Sequence, residues 1–182
     1  MRLRITEKFN KDSSTIIDHN NGKEFKIKKI MDRNNVFDIA KALRPSYDER
    51  CSSIIALTID PIYDYKPKEG SFILGRACGR VCVATMDNTT RAESFQTIVH
   101  EYMHTFGLGH CEKWRCIMNW LSLDEQNCYL CLPDLIKMQH LLGFDIKERY
   151  LKLAKLYKRT LGWQEDYEWV DKAIKKLNEN EE

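Results

Sequence analysis

Apolar and polar residues alternate along the first part of the chain in patterns typical of short strands and helices. Residues 3–6 and 24–30 predict strands, and residues 12–20 between them predict a short helix or a loop. Residues 36–43 carry apolar side chains at helical spacing. Because Pro45 follows, and the residue before a proline disfavours helical backbone, we expect this helix to end just before it.

The middle of the chain predicts a sheet. Residues 53–60 form a nearly continuous apolar, β-branched run, which indicates a strand buried on both faces. After a polar loop at 61–70, residues 71–78 and 80–86 are two strand-like runs joined at Gly79. Such a pair would place one strand at the edge of the sheet, where an extended peptide could pair with it. A covered or solvated edge explains the pattern equally well.

A longer helix follows the predicted sheet. Thr90 and Glu93 fit a capping box, in which each side chain bonds the backbone N–H of the other residue. Apolar residues then recur at helical spacing and predict one buried helix face: Phe95, Ile98, Val99 and Met103.

The last third of the chain predicts helices at 132–142, 145–160 and 164–177. Pro133 near the start of the first of these, and Gly143 near its end, are residues that favour those two positions. Strands alternating with helices, followed by helices alone, indicate an α/β (α+β) fold.

Composition limits which partners and which cellular compartment can be expected for this protein. The chain has 182 residues, 43% of them hydrophobic, which suits a single domain, and a net charge of +2 gives no case for a nucleic-acid or membrane partner. The start lacks the apolar core of a signal peptide, and no apolar run is long enough to span a bilayer. We therefore expect an intracellular, cytoplasmic monomer in a reducing compartment, where paired cysteines more often bind metal than form disulfides.

The chemistry is concentrated in His100-Glu101-x-x-His104-x-x-Gly107-x-x-His110. Two histidines four residues apart lie on one face of a helix, and a glycine can end that helix and bring a third imidazole to the same ion. Three protein ligands leave a fourth position open, as in catalytic zinc sites. Glu101 is then placed to take a proton from water. The alternative is that these histidines are ordinary, partly exposed side chains.

A second cluster follows directly. Two close pairs of cysteines are the usual sequence sign of a closed, structural zinc site: Cys111 with Cys116, and Cys128 with Cys131. Disulfides are the competing explanation. Cys78 and Cys82 lie apart from this cluster and are expected to be small buried hydrophobic residues.

The segment HEYMHTFGLGHC, followed after four intervening residues by Cys116, then by Met118 and a later CxxC, resembles the archaemetzincin family of zinc metallopeptidases. The resemblance implies a small metzincin-like domain with a mixed, twisted sheet, an active-site helix and a mainly helical C-terminal part. It implies zinc at His100, His104 and His110, with Glu101 as general base and Met118 beneath the site in a Met-turn. It also implies a second zinc at Cys111, Cys116, Cys128 and Cys131. The nine residues between Met118 and Cys128 are fewer than the family usually has.

The sequence thus predicts one metallopeptidase domain over 1–182, with the sheet and active-site helix in 1–110 and the cysteine segment and C-terminal helices in 111–182. Two zinc ions per chain, a peptide or protein substrate lying along the edge strand, and hydrolysis by a zinc-activated water are expected. Endopeptidase and aminopeptidase action both remain open. The alternatives to an enzyme are a zinc-stabilised binding protein with little or no peptidase activity and a purely structural scaffold.

Overall fold

The computed structural model describes residues 14–18, 23–27, 34–44, 52–65, 72–119, 129–159 and 163–179. The chain divides into two compact units, Met1–Gly109 and His110–Glu182. Strands and helices alternate in the first, and the second contains helices in its described part, so the mixed α/β class is confirmed. The single metallopeptidase domain stays a prediction.

The first unit begins with a two-stranded antiparallel pair, β1 (Ser14–Asp18) and β2 (Lys23–Ile27). The prediction of a helix or loop over 12–20 was therefore wrong. The run Ser-Thr-Ile-Ile-Asp is rich in β-branched residues, which favour extended backbone, and β2 supplies its hydrogen-bonding partner. The strand predicted at 24–30 is confirmed as far as Ile27, and the strand predicted at 3–6 lies outside the described residues.

Helix α1 (Val36–Leu43) has the predicted limits. The Asn35 side chain caps its start by accepting the backbone N–H groups of Phe37 and Asp38, at 3.0 and 3.2 Å. One face of α1 is buried with Ile62 and with residues of the sheet, and this cluster forms the core of the first unit.

The sheet has the order β3 (Ile54–Thr58), β5 (Val81–Thr85), β4 (Gly75–Cys78), with β5 parallel to β3 and antiparallel to β4. β4 lies at one edge of the described sheet, so the predicted edge strand is confirmed. β3 is not buried on both faces as predicted, since Leu57 is 41% exposed. Every residue of β5 is buried instead, because it is the central strand and is contacted by helices α1 and α2.

Helix α2 (Arg91–His104) packs against β4 and β5. Its capping box is confirmed: the Glu93 carboxylate accepts the N–H of Thr90 at 2.7 Å, and the Thr90 hydroxyl accepts that of Glu93 at 3.2 Å. Gly75 of β4 faces Thr97 and Glu101 of the helix. The predicted apolar face of Phe95, Ile98, Val99 and Met103 is only half-buried, so the side of α2 against the sheet includes polar residues.

The described helices of the second unit are α3 (Leu132–Leu142), α4 (Ile146–Arg159) and α5 (Gln164–Glu179), close to the predicted limits. Gly143 ends α3 with a φ of +64°. α4 and α5 pack together, and the Trp169 ring stacks on Tyr129 at 4.2 Å and meets Tyr150 edge-on at 5.7 Å. No helix in the described part of the chain is long and apolar enough to cross a membrane.

Candidate metal centres

Helix α2 carries the first candidate ligands in its last two turns. His100 and His104 lie one turn apart on the same face, and their Nε2 atoms are 3.0 Å from each other. The rings are nearly perpendicular, at 88°, with centroids 4.6 Å apart. The Nε2 atoms of His100 and His104 therefore point towards one common position.

A backbone carbonyl sets the orientation of the second histidine. His104 Nδ1 lies 2.6 Å from the Leu108 carbonyl oxygen, to which it can donate its proton. A ring that donates from Nδ1 carries no proton on Nε2, which is the usual arrangement for a metal-binding histidine. The chain reaches this position because α2 ends at His104 and Gly107 takes a φ of +85°. The glycine predicted to end the helix is thus in the left-handed conformation.

His110 completes a group of three. One ring nitrogen from each of His100, His104 and His110 lies within 4.8 Å of the other two. Two nitrogen ligands of a tetrahedral zinc, each at 2.0–2.1 Å, would be roughly 3.4 Å apart, and the His100–His104 separation of 3.0 Å is close to that value. His110 is exposed, which leaves this group open to solvent. The donor set and its spacing fit zinc with an open coordination position.

Glu101 follows His100 directly in helix α2, and its carboxyl lies against the edge strand β4. Burial raises its pKa to about 7, while a hydrogen bond from the Ala77 backbone N–H and the nearby Arg76 charge act in the opposite direction. The Ala77 N–H thus holds the Glu101 carboxylate at the backbone of β4. A carboxyl group with a pKa near neutrality can both accept and release a proton at physiological pH.

Three of the four predicted cysteine ligands come together in the second unit. One ligand atom from each of Cys111, Cys116 and Cys131 lies within 4.8 Å of the others, and the Sγ atoms of Cys111 and Cys131 are 3.9 Å apart. These are free thiols rather than a disulfide. Cys128 lies outside the described residues. Burial raises the pKa of the Cys116 and Cys131 thiols, so a metal ion would have to displace their protons.

Sequence reasoning missed a fourth member of this cluster. A carboxylate oxygen of Asp134 lies within the same 4.8 Å group, and Oδ2 is 3.3 Å from Cys131 Sγ. The signal was present, because Cys131 is the residue before helix α3 and Asp134 is the third residue of its first turn. Side chains at those two positions of a helix meet routinely.

The segment that follows the histidines is tied together by its backbone. The Cys111 N–H donates to the Met118 carbonyl at 2.8 Å, and the Asn119 N–H donates to the Cys116 carbonyl at 2.9 Å. The Met118 side chain is fully buried. Since His110 immediately precedes Cys111, the third histidine and the cysteine cluster share one short, hydrogen-bonded stretch of chain.

The remaining described cysteines are packed in the first unit. Cys78 and Cys82 are both buried and free, which confirms the expectation of small buried residues. Burial, followed by the Glu101 charge, raises the pKa of the Cys82 thiol to about 12.

Comparison with known proteins gives partial matches. No family model matches the chain. The chain is 48% identical over 70 residues to archaemetzincin-1 of Homo sapiens, which is 35% of this chain and 14% of that protein. It is 41% identical over 66 residues to human archaemetzincin-2, covering 34% of this chain and 18% of that one. The matched segment thus spans less than a fifth of these curated relatives.

A solved structure resembles the fold over a longer stretch. The crystal structure of archaemetzincin from Methanopyrus kandleri superposes with a TM-score of 0.51 and 22% sequence identity, covering 65% of this chain and 74% of that one. At this identity the likeness is one of fold.

Proposed function

We propose that the chain is a member of the archaemetzincin family and a zinc-dependent metallopeptidase that hydrolyses peptide bonds, on the strength of its partial similarity to archaemetzincin-1 and archaemetzincin-2 and of the shared fold. The observation that carries the proposal is the group of three imidazoles, His100, His104 and His110, whose ring nitrogens lie within 4.8 Å of one another. These histidines would hold the catalytic ion. Bound there, zinc would polarise a carbonyl and lower the pKa of a coordinated water to about 7.

Glu101 is the proposed general base. It directly follows the first ligand, and the Ala77 N–H holds its carboxylate at strand β4. From this position it would take a proton from the attacking water and later deliver that proton to the leaving amine. Since a protein that only holds metal needs no base next to its ligand, Glu101 favours catalysis over binding alone.

Strand β4 is the proposed binding strand for the substrate. The Leu74 carbonyl accepts the N–H of Thr85, and the direction of backbone groups alternates along a strand, so Gly75 and Ala77 turn theirs away from β5. The Ala77 N–H on this side bonds Glu101, so a peptide would pair through the other outward backbone groups. An extended peptide lying along this edge would bring a peptide carbonyl close to Glu101. The proposed substrate is therefore a peptide or an unfolded protein segment.

The cysteine cluster is proposed to hold a second, structural zinc through Cys111, Cys116, Cys128 and Cys131. A closed set of ligands leaves no position for a substrate, so its contribution would be to folding stability. Two zinc ions per chain are the expected content.

Two substitutions test the proposal. Wild type, Glu101→Gln and His104→Ala are purified under reducing conditions, their zinc content is measured by elemental analysis, and each is incubated with a peptide library. Glu101→Gln should keep two zinc ions and lose roughly 10²-fold or more in kcat/KM, because general base catalysis is typically worth that much. His104→Ala should keep one zinc ion and its fold.

Equal cleavage by Glu101→Gln and wild type would rule out Glu101 as the base. A wild-type protein that holds two zinc ions but cleaves no peptide would instead be a zinc-stabilised binding protein. One zinc ion in both wild type and His104→Ala would show that the histidine group does not retain metal.

A further inference from the structure

A buried carboxylate lies among the cysteines of the second unit. Asp134 is 4% exposed and belongs to the first turn of helix α3. Its carboxylate oxygen lies within 4.8 Å of the Sγ atoms of Cys111, Cys116 and Cys131. A buried acidic side chain is rare unless it is paired or binds a metal.

The two oxygens of Asp134 have different partners. Oδ1 accepts from the Lys137 ammonium group at 2.9 Å, and that lysine is largely exposed to solvent. Oδ2 faces inward and lies 3.3 Å from Cys131 Sγ, which can donate to it only while the thiol is protonated. The inward oxygen therefore faces the cysteine sulfurs, away from the Lys137 ion pair.

A metal ion held by the three cysteine sulfurs would lie close to this oxygen, because all four donor atoms lie within 4.8 Å of one another. Direct coordination gives that oxygen a positive partner, and aspartate is an accepted zinc ligand at about 2.0–2.2 Å. The Cys111–Cys131 separation of 3.9 Å already suits two thiolates on one tetrahedral zinc, whose sulfurs would be about 3.8 Å apart.

We propose that Asp134 Oδ2 is an alternative ligand of the cysteine site, which completes the tetrahedral set when Cys128 does not bind the metal. Cys111, Cys116, Cys131 and Asp134 supply four donor atoms without Cys128. The inference rests on the proposed structural zinc for the presence of a metal, and it does not depend on peptidase activity. It predicts a site that tolerates the loss of one particular cysteine.

Cobalt(II) tests this directly, because sulfur-to-cobalt charge-transfer absorption arises only at a site with thiolate ligands. The full chain is prepared as wild type, Cys128→Ser, Asp134→Asn and the double variant. Each is titrated with cobalt(II) and then with zinc in competition, and folding is followed by circular dichroism. Lys137→Ala serves as the control, since it removes the ion pair with Asp134 but keeps the carboxylate.

Cys128→Ser should keep the charge-transfer band and bind metal within roughly tenfold of wild type. Adding Asp134→Asn to Cys128→Ser should weaken binding by roughly 100-fold or more, and by much more than Asp134→Asn does alone. Lys137→Ala should bind like wild type. Loss of the band in Cys128→Ser, or an Asp134→Asn effect that is equal in both backgrounds, would overturn the proposal. An equal loss of metal affinity from Asp134→Asn in both backgrounds would mean that Asp134 only supports Cys131. The metal titrations do not depend on whether the protein cleaves peptides.

Discussion

Gly75 of strand β4 lies directly against Glu101 of helix α2. A β-carbon at position 75 would come within 2.7 Å of Glu101 Cγ and 2.9 Å of Thr97 Cγ2, both closer than ordinary packing allows. The missing side chain is what lets the stem of Glu101 lie flat on the strand while its carboxylate reaches the Ala77 N–H. The position of the proposed base thus depends on a residue outside the histidine motif.

Gly75→Ala should therefore displace Glu101. We expect the free energy of unfolding to fall by about 1–3 kcal/mol, which is the usual cost of inserting a methyl group into a packed site. Peptide cleavage should fall at least roughly tenfold, because a misplaced general base transfers protons poorly. Zinc content should stay at the wild-type value. Urea unfolding, elemental analysis and kcat/KM measure the three effects.

Gly109→Ala is the matched control, since a β-carbon there meets no atom within 4 Å, and it should leave all three quantities unchanged. Adding Thr97→Ser to Gly75→Ala removes one of the two close contacts. It should recover part of the stability but not the cleavage rate. Wild-type cleavage by Gly75→Ala would show that Glu101 does not need this position.

The capping box of helix α2 gives a second prediction. Thr90→Ala removes the hydroxyl that accepts the Glu93 N–H and should lower the free energy of unfolding by about 1 kcal/mol. The histidines lie at the other end of the helix, so zinc content should not change. Thr90→Ser keeps the hydroxyl and should unfold like wild type. Urea unfolding distinguishes them, and equal losses in both variants would mean that the cap is not the cause.

Local signals were enough to predict the helices. Pro45 follows the end of α1, Thr90 and Glu93 start α2, and Gly143 ends α3, each within one turn of the boundary it sets. Burial of the strands was not predictable in the same way. β3 is the more apolar run, yet β5 is the buried strand, because strand order depends on pairing between distant segments.

The candidate sites likewise contain local features that the sequence predicts and long-range contacts that it does not. The spacing of His100 and His104 could be interpreted from the sequence because one helical turn fixes it. Contacts of Glu101 with Gly75 and Ala77 join residues far apart in the chain, and no sequence pattern marks them. Asp134 is an intermediate case, since its spacing from Cys131 is local but a search for cysteines and histidines alone passes over it.

The two metal centres should depend on each other. Cys111 follows His110 directly, and its N–H is bonded to the Met118 carbonyl within the cysteine segment. Cys116→Ser removes a buried donor from that segment. We expect zinc to fall from two ions to fewer than one per chain and peptide cleavage to fall with it, because His110 loses its support. Elemental analysis and cleavage assays measure both.

Cys78→Ser is the control for that experiment, since Cys78 is also buried but lies outside both metal-binding groups. It should keep two zinc ions and activity, whatever its effect on stability. A Cys116→Ser protein that retains one zinc ion and full cleavage would show that His110 is held without the cysteine site.

The Cys82 thiol should make the protein less stable in alkali. Its pKa is about 12 in the folded chain against an ordinary value of 9.0, so the folded state holds its proton more tightly. This contribution to stability is complete below pH 9 and is lost as the pH rises from 9 towards 12. Cys82→Ala removes the titrating group. Between pH 8 and pH 10, wild type should lose about 1.4 kcal/mol more unfolding free energy than Cys82→Ala. Urea unfolding of both proteins at both pH values gives this difference, in which the contributions of the other titrating groups cancel. Equal losses of unfolding free energy in the two proteins would show that Cys82 ionises normally in the folded state.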